Sequence, residues 1–134
     1  MKAERFSEEP PLTKFSVVIP AQNEEGCVQS TVERLHQALA SRPIPHEIIV
    51  VDDHSTDRTY AIVAELSERI PEVKLLTNTG APGFGRAIIY GLDQITGDAA
   101  AIVMADESDD AGDLLRYWDV LNQGWHAVFG SRFI

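Results

Sequence analysis

Four short segments of this 134-residue chain concentrate the side chains able to do chemistry. Pro20, Ala21, Gln22, Asn23 and Glu24 form the first, Asp52–Asp57 (DDHSTD) the second, Gly80–Gly85 (GAPGFG) the third and Ala105–Asp110 (ADESDD) the fourth. In the last of these, Asp106, Glu107, Asp109 and Asp110 are crowded enough to repel one another unless a cation or a set of donors balances them. A hard divalent cation such as Mg2+ or Mn2+, bridging protein carboxylate and ligand phosphate, is the usual solution, because both ions prefer oxygen. Helix capping competes with that reading. Asp52, Asp53 and Asp57 precede a helix, where a carboxylate gains roughly 0.3–1 kcal/mol from the helix dipole, and Asp109 or Asp110 stands before another. Capping explains Asp106 less well, since it still lies close to a strand end.

The glycine-rich turn lacks the G-x-G-x-x-G order of a dinucleotide fingerprint and follows the third strand rather than the first. Its glycines, Gly83 and Gly85 among them, serve positive φ angles or close helix packing equally well. Arg86, just after it, either contacts a phosphate or salt-bridges a neighbour, and the two readings weigh the same. His46, His54 and His126 show no metal-ligand spacing and His36 lies within a helix, so all four read as ordinary. Cys27, at a helix start, reads as an unreactive thiol. Trp118 reads as core and Trp125 as a packing residue in a turn.

The elements that must position these segments alternate strand and helix. Strands are expected at Phe15–Ile19, Glu47–Val51, Val73–Thr77, Ala99–Met104 and Ala127–Gly130. Helices are expected at about 27–40, 58–70, 86–95 and 112–122. The first helix places Val28, Val32, Leu35 and Leu39 on one face; the second buries Ile62, Val63, Leu66 and Ile70; Ser55 and Asp57 are its candidate N-caps. Continuously apolar strands are covered on both faces, which predicts an α/β fold: a three-layer, mostly parallel, doubly wound sheet of about five strands and four helices. Right-handed crossovers bring every strand's C-terminal end to one edge, where such sheets bind ligands near the point of strand-order reversal. All four chemical segments fall there. A fifth strand closing the sheet would leave an unprotected region prone to association.

Composition narrows the partners. A formal net charge of -10 argues against nucleic acid, since nothing would neutralise phosphates over a broad surface. It leaves room for a small phosphate ligand held by backbone N–H groups or a metal. One cysteine excludes an internal disulfide and fits a reducing compartment. Residues 1–13 read as a flexible tail without signal-peptide character, residues 14–134 as the folded domain, and no apolar run approaches the roughly 20 residues that span a bilayer.

Read together, the segments resemble a known set. FSVVIPAQNEE is similar to the opening VVIPxxNE of family 2 glycosyltransferases, which have the GT-A fold, and EIIVVDDHSTDRT to their VVDDGSxDGT. GAPGFGRAIIYGLDQITGD resembles the corresponding segment of the dolichyl- or polyprenyl-phosphate mannosyltransferase-like branch. AAIVMADESDD falls where the family carries its DxD metal motif, and VFGSRF matches the strand ending in GSR. The resemblance implies inverting transfer of a sugar from a nucleotide-diphospho-sugar, GDP-mannose or a UDP-sugar, to an acceptor such as polyprenyl phosphate. It implies a cytoplasmic protein working at the membrane face. Pro20, Ala21, Gln22, Asn23 and Glu24 would line the nucleotide pocket, with Val51, Asp52 and Asp53 at base and ribose and Asp53 accepting a hydrogen bond from the base. Gly83, Gly85, Arg86, Ala105 and Asp106 would complete the donor site, and Arg132 would reach the phosphates. Asp106, with Ser108 beside it, would hold Mg2+ or Mn2+.

Three departures qualify the resemblance. Met104 stands where the first DxD aspartate belongs, and a thioether is a poor ligand for either ion. Gln22 replaces the aromatic often found before Asn23. Family domains run longer, so the chain is expected to be cut short before the acceptor loop and the usual catalytic base, and no catalytic base is named. Two alternatives remain: an inactive nucleotide-binding stub, and a receiver-type signalling domain with Asp106 phosphorylated and Mg2+ at Asp52 and Asp53. The latter needs its acidic pair after the first strand and a lysine after the last, and this chain has neither.

Overall fold

The computed structural model describes residues 2–5, 12–107, 110–123 and 125–129. In chain order the elements are β1 (Lys2–Arg5), β2 (Phe15–Ala21), α1 (Val28–Ser41), β3 (His46–Asp52), α2 (Thr59–Arg69), β4 (Val73–Thr77), α3 (Phe84–Leu92), β5 (Ala99–Ile102), α4 (Ala111–Asn122) and β6 (Trp125–Phe129). Four strands form a parallel sheet in the order β4-β3-β2-β5. The chain winds outward from β2 through β3 to β4, then crosses back to place β5 on the other side of β2. Strand order therefore reverses between β2 and β5, and the crevice beyond their carboxyl ends is the expected ligand position.

Both faces of the sheet are covered, as its apolar strands require. Ile48 and Val50 of β3 face a core built with Val28, Val32, Leu35 and Leu39 of α1, Val63 and Leu66 of α2, and Leu114 and Trp118 of α4. Trp118 lies against the Phe15 ring at a centroid distance of 5.1 Å. The alternate residues Ile49 and Val51 join Val18 and Ala87 under α3 on the other face. Helix α3 sits close because Gly91 carries no side chain: a Cβ there would lie 2.6 Å from Val18 Cγ1 and 3.0 Å from Val51 Cγ2. This three-layer α/β/α arrangement is the one the strand patterning predicts.

At the edge remote from the strands' carboxyl ends, Glu47 is a buried hub. Its carboxylate accepts from Lys74 Nζ (2.6 Å), Thr96 N (2.6 Å) and Ser16 Oγ (2.7 Å). The turn between α3 and β5 is thereby fastened to β2 and β3, and Gly97 fits there because a Cβ would meet the Lys14 carbonyl at 2.7 Å. Asp98 receives the backbone N–H groups of Thr13 and Lys14, fixing the entry to β2.

The chain's last described strand corrects the sequence reading. β6 does not extend the parallel sheet; it pairs antiparallel with β1, with Lys2 opposite Phe129 and Ala3 opposite Val128. Residues 2–5 thus form a strand where the sequence shows only a polar, charged tail, and Trp125 opens a strand rather than sitting in a turn. Neither partner has an apolar pattern long enough to announce a pairing across the whole chain. Helix α3 begins two residues before the expected Arg86 and stops at Leu92, and β5 stops at Ile102, short of Met104. Among the described residues no helix is long and apolar enough to cross a membrane.

Candidate functional site

The loops leaving β2, β3 and β5 share one structural signature. Among the described residues, three non-glycine positions have left-handed backbone: Asn23 (φ 53°), His54 (φ 61°) and Glu107 (φ 65°). Asn23 and His54 lie just beyond the ends of β2 and β3, Glu107 lies further along the loop after β5, and the three strands are neighbours in the sheet. Backbone of this kind costs energy and tends to collect where function requires a particular loop path.

The first two loops are laced together. Asn23 N donates to Ser55 Oγ (3.0 Å), while Thr56 N donates to Asn23 Oδ1 (2.8 Å). Glu24 N donates to the buried Thr59 Oγ1 (2.8 Å), whose own hydroxyl donates to Asp57 Oδ1 (2.6 Å). Arg58 N donates to Glu25 Oε2 (3.1 Å). Asp57 also receives Thr59 N at the start of α2, much as capping predicts. Burial would raise its carboxyl, but the hydrogen bonds from Thr59 and the Glu25 N–H outweigh that and hold it below the usual range. Ser55, the other expected cap, instead serves the neighbouring loop, and α2 has no side-chain bond at its N-cap, Arg58. Asn23, Ser55, Asp57 and Thr59 therefore hold the rim in shape.

Asp52 and Asp53 are both buried at the end of β3 but point to opposite faces. Asp53 turns toward the glycine-rich loop. Its Oδ1 accepts from Asn78 Nδ2 (2.9 Å) and its Oδ2 from Gly83 N (3.0 Å). His54 Nε2 contacts Gly80 O (2.8 Å), which makes Nε2 the protonated nitrogen. Asp52 shares the opposite face with Ile48 and Val50, and its Oδ1 is buried with no hydrogen-bond partner among the described residues. An orphaned acceptor of this kind is costly unless a donor reaches it. Val51, between β2 and β4, is fully buried beneath α3.

Across the crevice, β5 leads into Ala105 and Asp106. Ala105 is buried and its carbonyl accepts from Thr31 Oγ1 of α1 (3.2 Å); Asp106 is exposed. The Glu24 carboxyl is raised by its burial and then by the negative charges of Asp106 and Asp57, so the end of β2 and the end of β5 form one electronegative region. Pro20 and Ala21 are buried in the last positions of β2, with Gln22 and Asn23 exposed beyond them. Gly85 and Arg86 are exposed on the first turn of α3, and Gly83, which precedes it, has φ 155°. Asp110, as expected, caps α4 by accepting from Gly112 N (2.7 Å). Ser108, Asp109 and Arg132 lie outside the described residues.

The sequence reading missed Asn78 and the role of His54. Asn78 is buried at the root of the glycine-rich turn, and an Asn-x-Gly after a strand is the signal that would have found it. His54, dismissed for want of metal spacing, stands where VVDDGSxDGT has glycine; a histidine at a glycine position was the available clue.

The chain is 32% identical over 121 residues to a dolichol-phosphate mannosyltransferase of Pyrococcus furiosus, a match covering 90% of this chain and 34% of that protein. It is 31% identical to an undecaprenyl-phosphate 4-deoxy-4-formamido-L-arabinose transferase of Serratia proteamaculans, covering 88% of this chain and 36% of the relative. The chain thus spans about a third of the length of these curated relatives. A mannosyltransferase from Pyrobaculum calidifontis, solved in complex with GDP-Man and Mn2+, superposes with a TM-score of 0.63 at 26% identity, covering 76% of this chain and 29% of that one. Residues 16–134 match the model of Glycosyl transferase family 2, and the chain belongs to that family, with its GT-A type of α/β fold.

Proposed function

We propose that this chain is the donor-binding part of an inverting glycosyltransferase. It holds a nucleotide-diphospho-sugar, GDP-mannose or a UDP-sugar, at the carboxyl edge of its sheet for transfer to an acceptor such as polyprenyl phosphate at the cytoplasmic face of a membrane. The observation that carries the reading is that three left-handed loops and two buried aspartates lie at the carboxyl ends of β3, β2 and β5, the neighbouring strands that flank the reversal of strand order.

Each residue then has a physical task. A carboxylate offers about four lone-pair sites; Asn78 and Gly83 occupy two on Asp53, leaving others for a nucleobase N–H. Val51, buried beneath α3, supports the end of β3 from within the core, while Pro20–Glu24 and Asp52 line the nucleotide side. Gly83, whose N–H holds Asp53 Oδ2, and Gly85 shape the base side of the donor pocket, with Arg86 exposed beside them on the first turn of α3. No residue is assigned as the base that activates the acceptor.

The chemistry of the β5 rim fits Mg2+ or Mn2+. Its donors are oxygens, and Glu24 is raised by burial and by the charges of Asp106 and Asp57, a strain that a cation would relieve. Among the described residues no three ligating side chains form a closed cage. Asp106 would therefore hold the ion, with Ser108 beside it and Ala105 shaping the turn, and the remaining oxygens would come from diphosphate and water. When bound, such an ion neutralises the charge that develops on the departing nucleoside diphosphate. Arg132 would act on the same phosphates.

A thermal-shift titration with GDP, UDP, GDP-mannose and UDP-glucose, with and without Mn2+, tests the reading. A ligand at 100 times its Kd stabilises the fold by about 2.7 kcal/mol. A metal-dependent shift for one base, lost in Asp53→Ala and Asp106→Ala, is expected; no shift from a cooperatively melting chain refutes it. Met104 in place of a carboxylate favours a second reading, donor binding without turnover, which release of sugar from any of these donors by the chain would eliminate.

A further inference from the structure

We propose that Asn78 and His54 are positioning residues that clamp the glycine-rich loop onto Asp53, so that its carboxylate is presented in one fixed orientation to the edge of a nucleobase. This rests on the donor-binding reading above and concerns the base alone.

One buried amide organises the whole turn. Asn78 Nδ2 uses both hydrogens, donating to Asp53 Oδ1 (2.9 Å) and to Ala81 O (3.0 Å), while its Oδ1 accepts from Gly80 N (3.1 Å). Its own backbone N–H donates to Asp52 O (3.0 Å), anchoring the turn to β3. Gly83 N closes the ring on Asp53 Oδ2 (3.0 Å). The terminal torsion of an aspartate is broad when unrestrained. Donors on both oxygens remove that freedom before a ligand arrives, and the saving appears as affinity. His54 works from outside: its side chain is exposed, its backbone is left-handed (φ 61°), and its Nε2–H reaches Gly80 O (2.8 Å). That carbonyl belongs to the residue whose N–H Asn78 receives, so the two contacts hold Gly80 through the peptide groups on either side of its Cα.

On that reading the diphosphate end of the site lies at the β5 rim around Asp106, away from the glycine-rich loop. Loosening the clamp should therefore weaken recognition of a base without changing recognition of phosphate. Calorimetric titration of the chain with GDP, UDP and inorganic diphosphate, all with Mn2+, separates the two. In Asn78→Ala the Kd for the preferred nucleoside diphosphate should rise about tenfold or more, as expected on losing a hydrogen bond to a charged group, while that for inorganic diphosphate stays put. His54→Ala, at an exposed residue, should raise the nucleoside diphosphate Kd less and again spare inorganic diphosphate; it carries the test if the Asn78 variant does not fold. Unchanged nucleoside diphosphate affinity in the folded variants overturns the proposal, as does an equal loss for inorganic diphosphate, the mark of a merely structural loop. If the parent chain binds no nucleoside diphosphate, the donor-binding reading fails and this inference with it, an outcome visible before any variant is made.

Discussion

Replacing Glu47 by glutamine should remove a defined part of the protein's acid sensitivity. Burial would raise this carboxyl, but hydrogen bonds from Lys74, the Thr96 N–H and Ser16 overcome it and bring it from an ordinary 4.5 to about 2. With its side chain only 1% exposed, solvent screens little of this. The depression corresponds to about 3 kcal/mol of folding stability. Because the folded-state value is the lower one, the contribution is complete above the ordinary value of 4.5 and is lost as pH falls toward about 2. Glu47→Gln resembles the protonated state at every pH. Near neutrality it should be less stable than the parent by up to about 3 kcal/mol, on the order of 10 °C in Tm for a domain of this size, and the gap should close through the acid window. Denaturant unfolding at a series of pH values measures it. Asp57, Asp98 and Asp119 also titrate low, but they are present in both proteins and cancel in the difference. Parallel stability profiles for parent and variant would refute the assignment of Glu47 as a buried, ionised anchor.

Two further substitutions probe the site's scaffold. Thr59→Val keeps shape but leaves Glu24 N–H without its acceptor at a fully buried position; a loss of about 1–3 kcal/mol in denaturant unfolding is expected, and an unchanged midpoint would mean that the two loops are not held together there. Gly91→Ala sets helix propensity, a gain of up to about 1 kcal/mol, against overpacking on Val18 and Val51, which costs about 1–3 kcal/mol. With Val18 Cγ1 only 2.6 Å from the new Cβ, packing should win and the variant should melt lower, with Val18→Ala restoring part of the loss in the double mutant.

Much of the fold could be read from residue spacing, because the driving pattern is local. The stripe Val28, Val32, Leu35, Leu39 is buried as its period requires, and the third expected strand, Val73–Thr77, forms with those bounds. Pairing of β1 with β6 could not be read, since it joins two short segments at opposite ends of the chain and depends on no local pattern. The site was legible as composition rather than geometry. Four polar turns at one edge could be placed by topology alone, yet nothing in DDHSTDRT says that Ser55 turns to Asn23 while Asp53 turns to Asn78. Those are contacts across more than twenty residues, fixed by strand order, which spacing does not reveal.

The contrast between Glu24 and Glu47 bears on which edge works and which edge holds. Both are glutamates at strand ends of the same sheet, and burial pushes both carboxyls upward. At Glu47 donors from three elements reverse the push, and the charge becomes part of the fold. At Glu24 the neighbouring charges, Asp106 and Asp57, add to it. A carboxyl raised in the folded state weakens folding as pH climbs past its ordinary range, the opposite sign to Glu47. A chain selected only for stability would gain by neutralising that corner. On the proposed donor-binding reading, the positive charge that would balance Glu24, Asp106 and Asp57 arrives with the ligand. Mn2+ together with a nucleoside diphosphate should therefore stabilise this chain more at neutral than at acid pH.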